Sequence, residues 1–281
     1  METKMTVANV KSNWSAGNLV FGQKYNNGTA KIQFDGVPLE LTGDYTVTGL
    51  NGLSSRYELS WQAGQRGKPG INADIQSATE AVRMIADPDF EVLGTNGTSA
   101  LSTFYAEGGI TFTTAGADND QMILVPHLDA NQSAWEQVTW GTDQDTIWEC
   151  ALRTTATITS MTIWAGLKLT NTSVTATDND QAFFRYAAAT NSGKWQAIHS
   201  IGGTDTATDT GITVAASTVY RLRVAIDSSR IARFYINGTL VSTSTALTDA
   251  TDLKPYIGVQ ANTAAARAIY IIGQAISRQV A

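Results

Sequence analysis

The 281-residue sequence is poor in the residues that carry most protein chemistry. It has 1 cysteine, Cys150, so no internal disulfide framework and no four-cysteine zinc site can exist. Only 2 histidines, His127 and His199, are present, which excludes a site built from several imidazoles. Charged residues make up 16% of the chain, well under the roughly 25% of an ordinary soluble domain. The formal net charge is −6, a balance unsuited to neutralising phosphates, so nucleic acid is not expected as a partner. There is no run of about 18 apolar residues and no apolar signal segment after Met1. The expectation is a chain that folds in a reducing cytoplasm and does not engage a membrane.

Recognisable catalytic motifs are also missing. No Gly-x-Ser-x-Gly elbow and no Gly-x-Gly-x-x-Gly turn occurs, and Gly193-Lys194 lacks the rest of a phosphate loop. A glycoside hydrolase of β-sandwich type needs two carboxylates about 5–10 Å apart, seen on one strand as alternating acidic residues. Between residues 108 and 281, Glu136 and Glu149 are the only glutamates beside tryptophans (Trp135, Trp148), and they lie on separate segments. No catalytic, cofactor-binding or metal-ligating residue is therefore assigned, and no enzyme activity is expected.

Hydrophobic residues, at 43%, are ample for a core, and the chain is rich in threonine, a β-favouring residue. To about residue 62 the pattern is of short strands broken by Gly and Asn: Leu19-Val20-Phe21, Ile32-x-Phe34, Leu39-x-Leu41 and Tyr45-x-Val47, with Asn51-Gly52 as a turn pair. Gly64-Gln65-Arg66-Gly67-Lys68-Pro69-Gly70 has the form of two collagen triplets, too few for a triple helix, and reads as a connector. Ile71, Ile75, Ala78, Val82 and Ile85 recur at helical spacing, Asn72 caps the start and Asp87-Pro88 ends the run. This predicts one helix over about 72–86. The small-residue run Gly94-Thr95-Asn96-Gly97-Thr98-Ser99 suggests a boundary. The expected organisation is a small β-rich N-terminal domain with one helix (1–93), a linker (94–107) and a β domain (108–281).

From residue 108 onward strand follows strand: 110–112, 122–125, 148–152, 161–169, 182–186, 195–198, 219–226, 231–236 and 268–276, separated by Gly, Asn, Asp and Thr clusters. Ile236 and Thr239 flank Asn237-Gly238, a pair suited to a type I′ hairpin turn. In 219–226, Tyr220, Leu222, Val224 and Ile226 alternate with Arg221 and Arg223, so one face is core and the other meets water or a partner. The repeated Asp118-Asn119-Asp120-Gln121 and Asp178-Asn179-Asp180-Gln181 offers oxygens of the kind calcium requires, yet it lacks the EF-hand spacing. Asp-Asn pairs are also tight-turn residues, and the turn reading is preferred.

Several runs carry a resemblance. Trp164-Ala165-Gly166-Leu167-Lys168-Leu169-Thr170, Thr177-Asp178-Asn179-Asp180-Gln181-Ala182-Phe183-Phe184-Arg185-Tyr186, Tyr220-Arg221-Leu222-Arg223-Val224 and Phe234-Tyr235-Ile236-Asn237-Gly238 resemble the concanavalin A-like (laminin-G-like) jelly rolls of tailed-bacteriophage structural proteins. Asn13-Trp14-Ser15-Ala16-Gly17-Asn18-Leu19-Val20-Phe21 is more loosely similar to the opening of phage virion proteins. The resemblance implies a mainly β protein with a C-terminal antiparallel sandwich, made in the bacterial host cytoplasm and located in the virion on the capsid surface. It implies a capsid decoration or cement protein that binds the major capsid protein or other virion proteins and self-associates. The alternative is a tail-fibre or receptor-binding protein using the jelly roll as a lectin for host-surface glycans.

Overall fold

The computed structural model describes residues 19–24, 30–34, 37–41, 56–62, 90–105, 109–126, 134–169 and 178–279. The chain divides into two compact units, Met1–Tyr57 with Val280–Ala281, and Glu58–Gln279. The helix expected over 72–86, the collagen-like run, Tyr45-x-Val47, Asn51-Gly52 and His127 lie outside the described residues.

In the first unit β1 (Leu19–Lys24), β2 (Ala30–Phe34) and β3 (Val37–Leu41) form a three-stranded antiparallel sheet. Its two hairpins place Leu19 opposite Phe34 and Phe34 opposite Val37. The three strands correspond to the Leu19, Ile32 and Leu39 segments of the sequence pattern.

The second unit is a two-sheet antiparallel sandwich. Thirteen of its strands are β5 (Phe90–Leu93), β6 (Ser102–Phe104), β7 (Ile110–Thr113), β8 (Gln121–Pro126), β9 (Ile147–Thr154), β10 (Met161–Lys168), β11 (Gln181–Ala187), β12 (Lys194–Ile201), β13 (Thr204–Thr213), β14 (Val219–Ile226), β15 (Ile231–Ile236), β16 (Thr239–Ala246) and β17 (Lys254–Ala261). The last is β18 (Ala268–Gln279). One sheet has the order β13-β12-β11-β10-β17-β8-β5, the other β16-β15-β14-β9-β18-β7-β6, with β4 (Arg56–Gln62) also paired to β18. Among the described residues one short α-helix, α1 (Ala134–Gln137), buries Trp135. No helix among the described residues is long and apolar enough to cross a membrane.

The second unit begins at Glu58 and takes in β5 and β6. The physical reason is pairing: β5 joins the edge of the seven-stranded sheet through β8, and β6 pairs with β7 in the other sheet. Residues 94–101 thus carry the chain from one sheet to the other. Gly94, at φ 118°, makes that turn where a side chain would meet the Gln121 backbone at 2.5 Å.

Alternation drives the sandwich. On β14, Tyr220, Leu222, Val224 and Ile226 are buried while Val219, Arg221 and Arg223 are exposed. The inward rows of the two sheets meet ring to ring: Phe184 and Phe234 lie 5.5 Å apart edge-on, as do Trp195 and Tyr220. Asn237 (φ 51°) and Gly238 (φ 84°) form the two-residue turn between β15 and β16, with Ile236 opposite Thr239. The Asp-Asn-Asp-Gln runs are turns opening β8 and β11. Asp118 Oδ1 accepts from Asn119 N at 3.1 Å and Asp178 Oδ1 from Asn179 N at 3.1 Å. Asp120 accepts from Ala117 N and Asn96 Nδ2. Among the described residues no three His, Cys, Asp or Glu side chains cluster as a metal site.

Candidate functional site

The seven-stranded sheet is buried on both sides at its centre. On its outward face Lys168, Gln181, Ser200 and Asp205 form a polar group next to Trp164 and Tyr256, whose rings stack at 6.3 Å. Gln181 Nε2 donates to Ser200 Oγ and to Asp205 Oδ1, each at 2.9 Å, and Ser200 Oγ donates to the same carboxylate. Lys168 Nζ sits 4.8 Å over the Tyr256 ring. Burial lowers the Lys168 pKa from its ordinary value, and the Asp178 and Asp205 carboxylates oppose the shift. Burial likewise raises the Tyr256 phenol. Trp164 and Tyr256 are nearly solvent-free and pack with Ile123, Val125, Leu93 and Phe183.

Ser200 has a carboxylate within reach but no imidazole. His199 is its chain neighbour and therefore points to the opposite face of β12, where Nε2 lies 3.4 Å from Thr245 Oγ1. A Ser-His-Asp relay needs the imidazole between the two oxygens, and strand alternation forbids that here. Burial lowers the His199 pKa below 6.5, against the pull of Asp205. In the window between that lowered value and 6.5 the unfolded chain binds a proton that the folded chain does not. Stability should consequently fall as pH drops through this window and stay reduced below it. Urea titrations at a series of pH values should show His199→Gln with a shallower loss between pH 7 and pH 5; an unchanged profile would sink the assignment.

Glu136 and Glu149 stand on different elements. Glu136, on α1, lies 3.6 Å from Lys254 Nζ, whose β17 is in the seven-stranded sheet, whereas Glu149 stands on the solvent face of β9 in the other. They do not form the facing pair a glycosidase requires. Lys194, of the Gly193-Lys194 pair, bonds Asp209 at 2.9 Å.

The open surface lies on the eight-stranded sheet. There β15, β14, β9 and β18 align Tyr235, Arg223, Glu149 and Ala275 in one cross-strand row, and Arg221, Ala151 and Gly273 in the next. A bulge in β18 between Ile271 and Gly273 puts the extra residue, Ile272, at the margin. Small residues at 151, 273 and 275 leave a floor below the walls of Arg221, Arg223, Tyr235 and Ile272, and the groove encloses about 1030 Å³. Arg223 lies 5.4 Å over the Tyr235 ring. Further along the same face Arg153 lies 5.4 Å from Tyr105 and 5.7 Å from Tyr270, two rings stacked at 3.9 Å. Asn237 Oδ1 accepts the Arg221 N–H at 2.9 Å and locks the hairpin beside the groove.

Cys150 alternates with Glu149 and points inward, where burial pushes its thiol far above the ordinary range. The native thiol should be inert to an aromatic disulfide reagent and react only at the rate of unfolding. Rapid labelling of folded protein would contradict its inward placement.

The sequence pattern identified the polar face of β14 but not the groove, because its floor comes from β9 and β18, distant in the chain. The Arg221-x-Arg223 alternation was the one available signal.

Sandwich, strand pairing and outward groove together define a concanavalin A/glucanase-like jelly roll. The chain belongs to the SO2946-like family: residues 129–272, just over half of it, match the model described as "SO2946-like, C-terminal domain". Among solved structures, the protein of unknown function SO2946 from Shewanella oneidensis MR-1 is similar at 12% identity and TM-score 0.50, covering 80% of this chain and 87% of that one. A native glycosidic hydrolase is similar at 11% identity and TM-score 0.50, covering 80% and 96%. The carbohydrate recognition domain of Emp46p is similar at 10% identity and TM-score 0.48, covering 69% and 89%. At such identities the likeness is one of fold. No curated protein matches the chain in sequence.

Proposed function

We propose that the chain is a non-enzymatic structural protein of a tailed-bacteriophage particle, a capsid decoration or cement protein whose N-terminal part anchors it to the shell and whose jelly roll is displayed on the particle surface. The observation that carries this reading is the placement of the phage-like runs. Trp164–Lys168 and Gln181–Tyr186 are the paired strands β10 and β11, and Tyr220–Val224 and Phe234–Ile236 the paired strands β14 and β15, one hairpin layer in each sheet. The resemblance therefore falls on the body of the sandwich rather than on scattered loops. The separation of Glu136 from Glu149 and of Ser200 from His199 supports a binding rather than a catalytic role. A protein that binds only the assembled shell lowers the free energy of that state, and repeated weak contacts make it effective.

The test is localisation on purified particles by immunogold labelling or cryo-electron microscopy with a copy count. Hundreds of copies on the head are expected. Absence from the particle would sink a virion role altogether.

A second reading, a tail-fibre or receptor-binding lectin for host-surface glycans, is favoured by the groove on the eight-stranded sheet. A few copies at the tail would turn the proposal toward it, and saturable binding on a glycan array would support it.

A further inference from the structure

We propose that the groove on the eight-stranded sheet is a binding site for carboxylate-bearing saccharides, with Arg221 and Arg223 as the carboxylate-holding pair. The inference rests on the glycan-binding reading above and names its ligand class.

Four other cations of the sandwich pair with a carboxylate, Arg233 with Asp227 at 2.5 Å, Arg230 with Asp249 at 3.3 Å, Lys194 with Asp209 at 2.9 Å and Lys254 with Asp252 at 2.9 Å, and Arg153, Arg185, Arg267 and Arg278 each donate to a carbonyl or amide oxygen. Among the described residues neither Arg221 nor Arg223 has a carboxylate within 4 Å, although both stand on an exposed face. Two residues apart on one strand, they share a face at a spacing of about 6.7 Å. Glu149, directly across from Arg223 in register, is not drawn into an ion pair with it, because the Arg223 guanidinium lies over Tyr235 instead. A guanidinium stacked on a ring keeps its in-plane N–H fork free, the geometry that takes a carboxylate through two parallel bonds.

The remaining lining suits a sugar. Ala151, Gly273 and Ala275 leave room above the sheet for flat rings, the volume of about 1030 Å³ accommodates several of them, and the Glu149 carboxylate accepts hydroxyl donors. An extended peptide is a poorer fit. It gains affinity by adding to a free strand edge, whereas this groove crosses four strands whose backbone groups are already paired. An oligosaccharide brings its own hydroxyls and needs no free edge.

The test is calorimetric titration of the full chain with a panel of galacturonate, guluronate, mannuronate and glucuronate pentasaccharides. Each is offered with free and with methyl-esterified carboxyl groups, and pentaglutamate serves as the peptide comparison. At least one free-acid saccharide should bind ten times or more tightly than its ester, and R221A/R223A should lose at least tenfold. Both arginines are exposed, so circular dichroism should show the double variant folded. Glu149→Gln, which removes the one negative charge in the groove, should bind the same acid severalfold more tightly, a gain that misfolding cannot imitate. Equal binding of acid and ester, or indifference to the arginine changes, would overturn the carboxylate assignment while leaving glycan binding in place. Tighter binding of pentaglutamate than of every saccharide would assign the pair to an acidic peptide and overturn it too. No binding by any saccharide, here and on the neutral array, would overturn the glycan reading along with it.

Discussion

Trp148→Ala should lower the unfolding free energy by about 3–5 kcal/mol, read from urea denaturation, and bring the melting temperature down by roughly 10 °C or more. Trp148 is fully buried on β9, opposite Val224 of β14 on one side and Ile276 of β18 on the other, so the cavity would open at the middle of the eight-stranded sheet. Neighbouring strands hold that space open, and a paired sheet cannot collapse into it. The indole Nε1 also donates to Gln274 Oε1 at 3.0 Å, and Gln274 is itself only 5% exposed. Alanine leaves that amide oxygen buried and unpartnered, a further cost of about 1–3 kcal/mol. Trp148→Phe keeps most of the volume and isolates the hydrogen-bond loss. Adding Gln274→Met to it should recover much of the deficit, since replacing both partners by apolar groups removes the orphan. A loss below about 1 kcal/mol in the alanine variant would contradict the packing described for this residue.

Gly166→Ala should be the second most damaging change, although it adds a single methyl group. Gly166 lies on β10 between β11 and β17, and a Cβ there would fall 2.4 Å from Phe183 Cα and 2.5 Å from the Ala182 carbonyl oxygen. The obstruction is backbone of a paired strand, which no rotamer change relieves. The strands must part at the centre of the seven-stranded sheet, beneath Trp164 and Tyr256, at a cost of about 1–3 kcal/mol or more. Gly116 supplies the control, because a Cβ there meets nothing within 4 Å and its alanine variant should be nearly neutral. Equal stability of the two variants would sink the argument. Gly258→Ala falls between them: its Cβ would meet the Trp164 indole at 2.6 Å, a side chain too enclosed to swing away freely.

These expectations depend on partners that the sequence does not place side by side. Gly166 and Phe183 lie in different strands, and nothing in Trp164-Ala165-Gly166-Leu167 alone distinguishes a glycine demanded by close approach from one tolerated at a bulge. Trp148 and Gln274 are separated by 126 residues. By contrast, the two-fold alternation of β14 and the Asn237-Gly238 turn are local, and both were legible because each depends only on adjacent residues and their preferred dihedrals.

The strands passed over by pattern reading show the same boundary. β13, Thr204–Thr213, is almost entirely exposed threonine, aspartate and glycine, with no buried row to leave a periodic trace. It is a strand only because β12 offers its free edge. β17, Lys254–Ala261, is buried on both faces, so its residues do not alternate and Pro255 and Gly258 read as breakers. In the site, the exposed Arg221-x-Arg223 pair is visible in the sequence, whereas the unpaired state of those cations, the Tyr235 ring under Arg223 and the small-residue floor are not. By itself the sequence determined the β class of the chain, the strands with one wet face, the tight hairpin and the poverty of reactive groups, all consequences of local composition and period-two burial. Which strands lie next to one another, where the first unit ends, and the groove that brings β15, β14, β9 and β18 together were decided by long-range strand pairing. That pairing is selected by the packing of two whole sheets against each other, a collective free energy that no local segment encodes.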